Sequence, residues 1–254
     1  NLESWFNRHE SGYEEACNHL RTLPAGRLKT TTVNADTVKV PDALWRILRL
    51  KFLGILRNPH NHKNLFAHRL HQTLRARLPE VGFEFVRLIS KRDPKRIETI
   101  MQDYRFSFLG YVDWLGGLYG MLSEGVAQPS LFERLFCNIF AKPEAVKIEL
   151  FRYPENTGLC LFSDSSFCLQ ASAKLFSVGV NISHDMFAVV HLQTDRWHAF
   201  KNTFHHDAPK LQGQVRIIDG DQTQRLLFNR LCIHQAHEAV FGQSPNIKDY
   251  LEAV

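Results

Sequence analysis

Acidic residues are missing from one long stretch of the chain. Between Asp42 and Glu80 there is no Asp or Glu, while Arg46, Arg49, Lys51, Arg57, Lys63, Arg69, Arg75 and Arg77 all fall there. Solvated helices ordinarily mix signs to gain i, i+4 pairing, so this gap argues against a merely solubilising face. Cysteine is sparse as well. The five cysteines lie far apart except Cys160 and Cys168, with no CxxC pair, which excludes a disulfide framework and a cysteine-based zinc finger and predicts buried free thiols in a reducing compartment. Long apolar runs are lacking too: the most membrane-like, Phe106 to Leu122, is interrupted by Asp113 and rich in glycine, so no membrane span is expected. Finally, GxxxxGK, GxGxxG, HExxH and GxSxG are all absent. The common nucleotide, zinc-protease and hydrolase readings therefore have no support.

What is present is ample hydrophobic content, 44% of 254 residues, enough for one large domain or two modest ones. The net charge of +5 is unevenly spread. Residues 1–144 hold 21 Lys and Arg against 15 acids, and residues 145–254 hold 10 against 11. A surface of this kind suits a polyanion, of which nucleic acid is the commonest. The opening residues, Asn1 to Cys17, carry charges throughout and no apolar centre, so no secretory signal is expected there and the location expected is cytoplasmic.

The periodicity predicts an α+β protein in two parts, a helix-rich basic region over 1–143 and an antiparallel-sheet domain with a long C-terminal helix over 144–254. In the first part, residues 2–22 read as helix and 43–78 as a basic helical hairpin. Its first helix is opened by Pro41 and Asp42, with Leu44, Leu48, Phe52 and Ile55 on one face. Its second carries Phe66, Leu70, Leu74 and Leu78 at i, i+4 spacing. Asp93-Pro94 is an N-cap followed by proline, predicting a helix to about Tyr104. Ser130 and Glu133 form a capping box for another. In the second part Val146 to Leu150 alternates and is expected to pair as a hairpin with Leu159 to Phe162. Phe167 to Phe176 reads as a short helix, Met186 to Leu192 as a central strand, Val215 to Ile218 as a strand, and Gln222 to Phe241 as a helix ended by Gly242.

Candidate sites follow from these elements. Arg46, Arg49, Lys51, Arg57, His62, Lys63, Arg69, Arg75 and Arg77 are the expected phosphate contacts, with Asn61, His62, Asn64, His68 or Gln72 for any sequence preference. Histidine supplies the catalytic candidates. His191 and His198 flank a presumed turn and, with His206 in the His205–Asp207 loop, could trade protons in cleaving a phosphodiester. Two satisfied sheet histidines are the plainer alternative. His234, His237 and Glu238, read as helical, could share a metal, though spacing fixes no complete ligand set. The leading expectation is a nucleic-acid-binding protein, DNA or RNA, without cofactor, such as a transcription or replication factor or one subunit of a larger nucleoprotein complex. The alternatives are a metal-independent endoribonuclease and an effector docking an acidic protein partner.

Overall fold

A computed structural model describes residues 10–27, 38–39, 41–61, 87, 90–91, 93–122, 130–140, 146–154, 158–172, 175–193 and 212–252. The chain forms two compact units, one of Asn1–Ser4 and Leu56–Leu135, the other of Trp5–Ile55 and Phe136–Val254. The architecture is α+β. The elements are α1 (Tyr13–Thr22), β1 (Gly26–Arg27), β2 (Val38–Lys39), α2 (Asp42–Arg57), α3 (Pro94–Asp103), α4 (Phe108–Leu122) and α5 (Leu131–Ile139), followed by β3 (Val146–Arg152), β4 (Phe162–Ser163), β5 (Cys168–Ala171), β6 (Leu175–Ser183), β7 (Met186–Gln193), β8 (Gln212–Asp219), α6 (Gln222–Gln235), β9 (Val240–Phe241) and α7 (Lys248–Leu251). The second basic helix expected over 63–78 lies outside the described residues.

In the first unit α3 starts where the Asp93-Pro94 pair predicts. The Asp93 carboxylate accepts from the Lys95 amide at 3.0 Å, satisfying one of the free donors of the first turn. The helix ends in a Schellman motif. Phe106 N–H reaches Met101 O at 2.9 Å and Arg105 N–H reaches Gln102 O at 3.3 Å, with Arg105 at φ 51° in the left-handed position usually given to glycine. The glycine-rich segment after it is helical: α4 buries Tyr111, Trp114, Leu115, Leu118, Met121 and Leu122.

The second unit is built on a sheet of order β1-β8-β3-β7-β6-β5, with β2 also pairing β8. All pairs are antiparallel except β3 with β8, which is parallel. The sheet is thus mixed where the sequence predicts an antiparallel one. Side-chain period carries no strand direction, and a strand flanked on both sides, as β3 is by β7 and β8, reads the same for either orientation. Two other expectations are corrected. Residues 168–171 form strand β5, with Cys168 opposite Gly179, in place of the expected helix. Leu159 to Phe162 does not pair with β3; β4 joins β9 in a small separate sheet.

One face of the main sheet carries Ile148, Leu150, Ala188, Val190, Val215 and Ile217, each 0–2% exposed. On the other, Phe151 stacks on Phe187 at 4.8 Å and Phe187 on Phe228 of α6 at 4.1 Å. Burying each of these rings contributes about 2–3 kcal/mol. Around them cluster Tyr153, Cys160, Leu161, Cys168, Cys232 and Tyr250. The buried Arg152 ties α1 to this sheet. Its guanidinium grips Asp219 with two bonds of 2.7 and 2.9 Å and donates to the carbonyls of Leu20, Arg21 and Leu23 at the end of α1. Those carbonyls would otherwise lack partners. Trp45 and Phe52 of α2 meet Phe136 and Phe140 edge-on. The five cysteines are free thiols, and no helix among the described residues is long and apolar enough to cross a membrane.

Candidate functional site

Helix α2 distributes its cations among different surroundings. Arg46 and Arg57 are exposed, whereas Arg49 and Lys51 are partly buried. Arg49 lies over the Phe136 ring, 5.5 Å from its centroid. Arg46 lines a hollow together with Glu15 and Asp42, so carboxylates stand near it. Lys51 turns inward: its Nζ sits 5.4 Å from the Tyr13 ring centre and 5.3 Å from that of Phe162. His62, Lys63, Arg69, Arg75 and Arg77 lie outside the described residues, as do Asn64, His68 and Gln72. Asn61 is buried, at 1% exposure, so it offers nothing to a base edge.

Lys51 opens into a cavity of about 440 Å³ within the second unit, a size that suits a small molecule. Tyr13 from α1, Phe162 from β4, Asn181 from β6 and Phe228 from α6 form walls around it, with Glu10 and Ser166 also lining the space. Tyr13 is locked in place by donating its hydroxyl to Ile182 O at 2.6 Å, and burial pushes its pKa up, keeping it neutral. The Lys51 ammonium has no carboxylate partner among the described residues, and burial lowers its pKa to about 8. Two ring faces oppose that shift by attracting the cation. A second uncompensated group is Asn181. It is 6% exposed, gives its Nδ2 to Leu161 O at 2.9 Å, and leaves Oδ1 with no hydrogen-bond partner. Ser166, in the turn between β4 and β5, adopts φ 68°, a conformation that costs a non-glycine residue about 1–3 kcal/mol and recurs at ligand sites.

His191 belongs to a separate network on the sheet. Its Nδ1 lies 2.8 Å from Ser177 Oγ and its Nε2 3.1 Å from Glu149 Oε2. A neutral ring protonated on Nε2 satisfies both neighbours, donating to Glu149 and accepting from Ser177. Lys147 Nζ completes the chain at 2.6 Å from Glu149 Oε1. Register explains the meeting, since Ser177 and Lys147 are the cross-strand partners of His191 on either side. Ser177 is only 6% exposed and the adjoining space is about 50 Å³, too small for a substrate chain beside its hydroxyl. The network joins three strands with both ring nitrogens engaged by protein. His198 and His206 lie outside the described residues.

The His191 hydrogen bond, opposed by burial and aided by Lys147, pulls the Glu149 carboxyl from 4.5 to about 2. A depressed folded-state pKa means that this stabilisation is full above about 4.5 and is lost as pH falls through about 2. We expect Glu149→Gln to cost about 1–3 kcal/mol at pH 7 and to flatten the loss of stability between pH 4.5 and 2. Urea unfolding at pH 7 and pH 3 checks this: an equal deficit at both would contradict it.

The helix expected over Gln222 to Phe241, on which His234, His237 and Glu238 were to share a face, is corrected. Helix α6 ends at Gln235, so His234 is helical while His237 and Glu238 lie past its end. The cause is Asp164, whose carboxylate accepts from the amides of His237, Glu238 and Ala239 at 2.8, 2.7 and 3.0 Å. Three charge-assisted bonds draw the chain off the helix axis and into β9. Among the described residues no three His, Cys, Asp or Glu side chains are grouped to hold a metal. Of the thiols, burial pushes Cys17 and Cys160 up, as suits core residues rather than nucleophiles.

Sequence spacing misses the cavity because its walls come from five separate elements. One signal was available: Lys51 stands four residues after Ile47 and four before Ile55, both buried, and so occupies the apolar stripe of its helix. Comparison with known protein families, with characterised proteins and with solved structures finds no match for the chain.

Proposed function

We propose that the chain binds nucleic acid through α2 and the acid-free segment that follows it. The observation that carries this reading is the run of 43–79 without a single carboxylate, beginning on a helix that leaves Arg46 and Arg57 exposed. Those two stand three turns apart, so they return to nearly one face about 16 Å along the axis. Phosphate neutralisation then falls to Arg57, Arg46, Lys63, Arg69, Arg75 and Arg77, with His62 among them. Arg49 and Lys51 contribute less, being engaged with aromatic rings.

Salt dependence tests it. Affinity for a labelled DNA or RNA oligonucleotide, read by fluorescence anisotropy, should fall steeply with salt, the slope shrinking by about 0.9 for each duplex phosphate contact removed. Arg57→Gln should lower the slope by about that amount, and Lys51→Gln should leave it unchanged. Reversal of charge at Arg69 and Arg75 together with undiminished affinity would end this reading.

A further inference from the structure

The cavity at Lys51 has features that a structural core does not require. A core lysine is normally paired with a carboxylate or extends its ammonium to water. Lys51 does neither fully: it is partly buried, held between two aromatic rings, and has no acid among the described residues. Neighbouring groups do not neutralise it. From α1 it meets Tyr13 and Cys17, both kept uncharged by burial, and the Cys232 thiol of α6, which lines the same cavity, is kept uncharged by its hydrogen bond to Cys168 and by burial. Glu10 stands exposed at the rim. An independent second group points the same way, since Asn181 is nine-tenths buried in the same wall with its Oδ1 unpartnered. Leaving a buried acceptor unpaired costs about 1–3 kcal/mol. Cation and acceptor are therefore both uncompensated on one cavity whose other walls include the rings of Tyr13, Phe162, Phe167 and Phe228, with Glu10, Ser163 and Ser166 also lining it.

We propose that this cavity is a binding site for a small planar aromatic carboxylate. Its acid meets the Lys51 ammonium, its flat body packs among Tyr13, Phe162 and Phe228, and a ring N–H or O–H donates to Asn181 Oδ1 as that side chain turns toward it. The volume of about 440 Å³ admits a one- or two-ring acid and excludes a nucleic-acid strand, so the site is separate from the cationic face of α2. Phosphate esters are a poorer match, because a lone ammonium neutralises one charge, only the hydroxyls of Ser163 and Ser166 are left for the second, and Glu10 at the rim repels it. The left-handed Ser166 fixes the turn that presents Phe162 and Phe167 to the space.

The test uses the full chain, with benzoate, indole-3-carboxylate and the neutral indole-3-carboxamide as probes in calorimetric titration at pH 7. The expected result is saturable binding of at least one carboxylate with Kd below about 1 mM, weakened about 10-fold or more in the carboxamide. Lys51→Met should abolish that preference, and Lys147→Met, a surface lysine of the separate histidine network, should leave binding intact. The ligand should also raise the melting temperature of the natural chain and not that of Lys51→Met. The proposal is overturned if neither carboxylate binds, if the carboxamide binds as well as the acid, or if Lys147→Met loses as much as Lys51→Met. The acid and amide comparison needs no variant and decides the matter even if Lys51→Met fails to fold. None of these outcomes bears on the salt dependence of oligonucleotide binding.

Discussion

Replacing Arg225 with methionine is expected to destabilise the sheet-bearing unit by about 2–4 kcal/mol, the largest loss we anticipate from a single change. Arg225 is 0% exposed, and no carboxylate neutralises it among the described residues. Its guanidinium instead donates to the carbonyls of Leu159, Asp249, Tyr250 and Glu252, while Nε reaches Gln222 Oε1 at 2.7 Å. Burial accordingly lowers its pKa. Asn229 Nδ2 also serves Leu159 O and Tyr250 O at 2.8 Å each, so those two keep a partner after the substitution. The carbonyls of Asp249 and Glu252 lose theirs and, standing on exposed residues, turn partly to water, so most of the cost comes from releasing the C-terminal segment from the guanidinium that ties it to α6. The chain crosses this group at Gly158, where φ is +146° and a Cβ would lie 2.5 Å from Arg225 Cδ. Urea unfolding measures the loss, and hydrogen exchange should find residues 248–252 opening first. A change below about 0.5 kcal/mol would mean that water replaces the guanidinium without cost.

Lys51→Met should act in the opposite direction, stabilising the same unit by about 1–3 kcal/mol at pH 7. Methionine keeps the length of the side chain and its contact with the rings while removing an ammonium that has no acid beside it. The pH dependence identifies the cause. Burial lowers the folded-state pKa from 10.5 to about 8, so between those values the unfolded chain binds more protons than the folded one, and stability rises with pH. The natural chain should therefore gain on the Met variant as pH climbs from 8 to 10.5, closing most of the gap. Melting curves of the two at pH 7 and pH 10 test this. If Lys51→Met is instead the less stable at pH 7, attraction of the cation to Tyr13 and Phe162 outweighs its desolvation. A residue that weakens the empty protein while furnishing a ligand contact is the common trade at binding sites.

Much of the local structure was legible. Asp93-Pro94 opened α3 and Ser130 capped α5 by accepting from the Glu133 amide at 3.2 Å, because capping depends on residues within one turn. Met186 to Leu192 was readable as a central strand because a segment covered on both faces is apolar throughout. Errors arose where a distant group intervened. Residues 236–241 have helix-compatible sequence, yet Asp164, more than seventy residues earlier, takes the amides of His237, Glu238 and Ala239. Cys168 to Ala171 pairs with β6, and the pairing overrides a weak local preference.

By itself, then, the sequence determined the starts of α3, α5 and α6, the central strand, the α+β class and the uneven charge, all of which depend on neighbours a few positions apart. Only the tertiary structure decided that β8 runs parallel to β3, that Glu149, Ser177 and His191 meet across three strands, and that Lys51 faces a cavity rather than water. The physical reason is common to all three. Side-chain period states which face of an element is apolar, but the direction of a neighbouring strand and the identity of a facing ring depend on contacts between residues far apart in the chain, and short-range spacing carries no record of those.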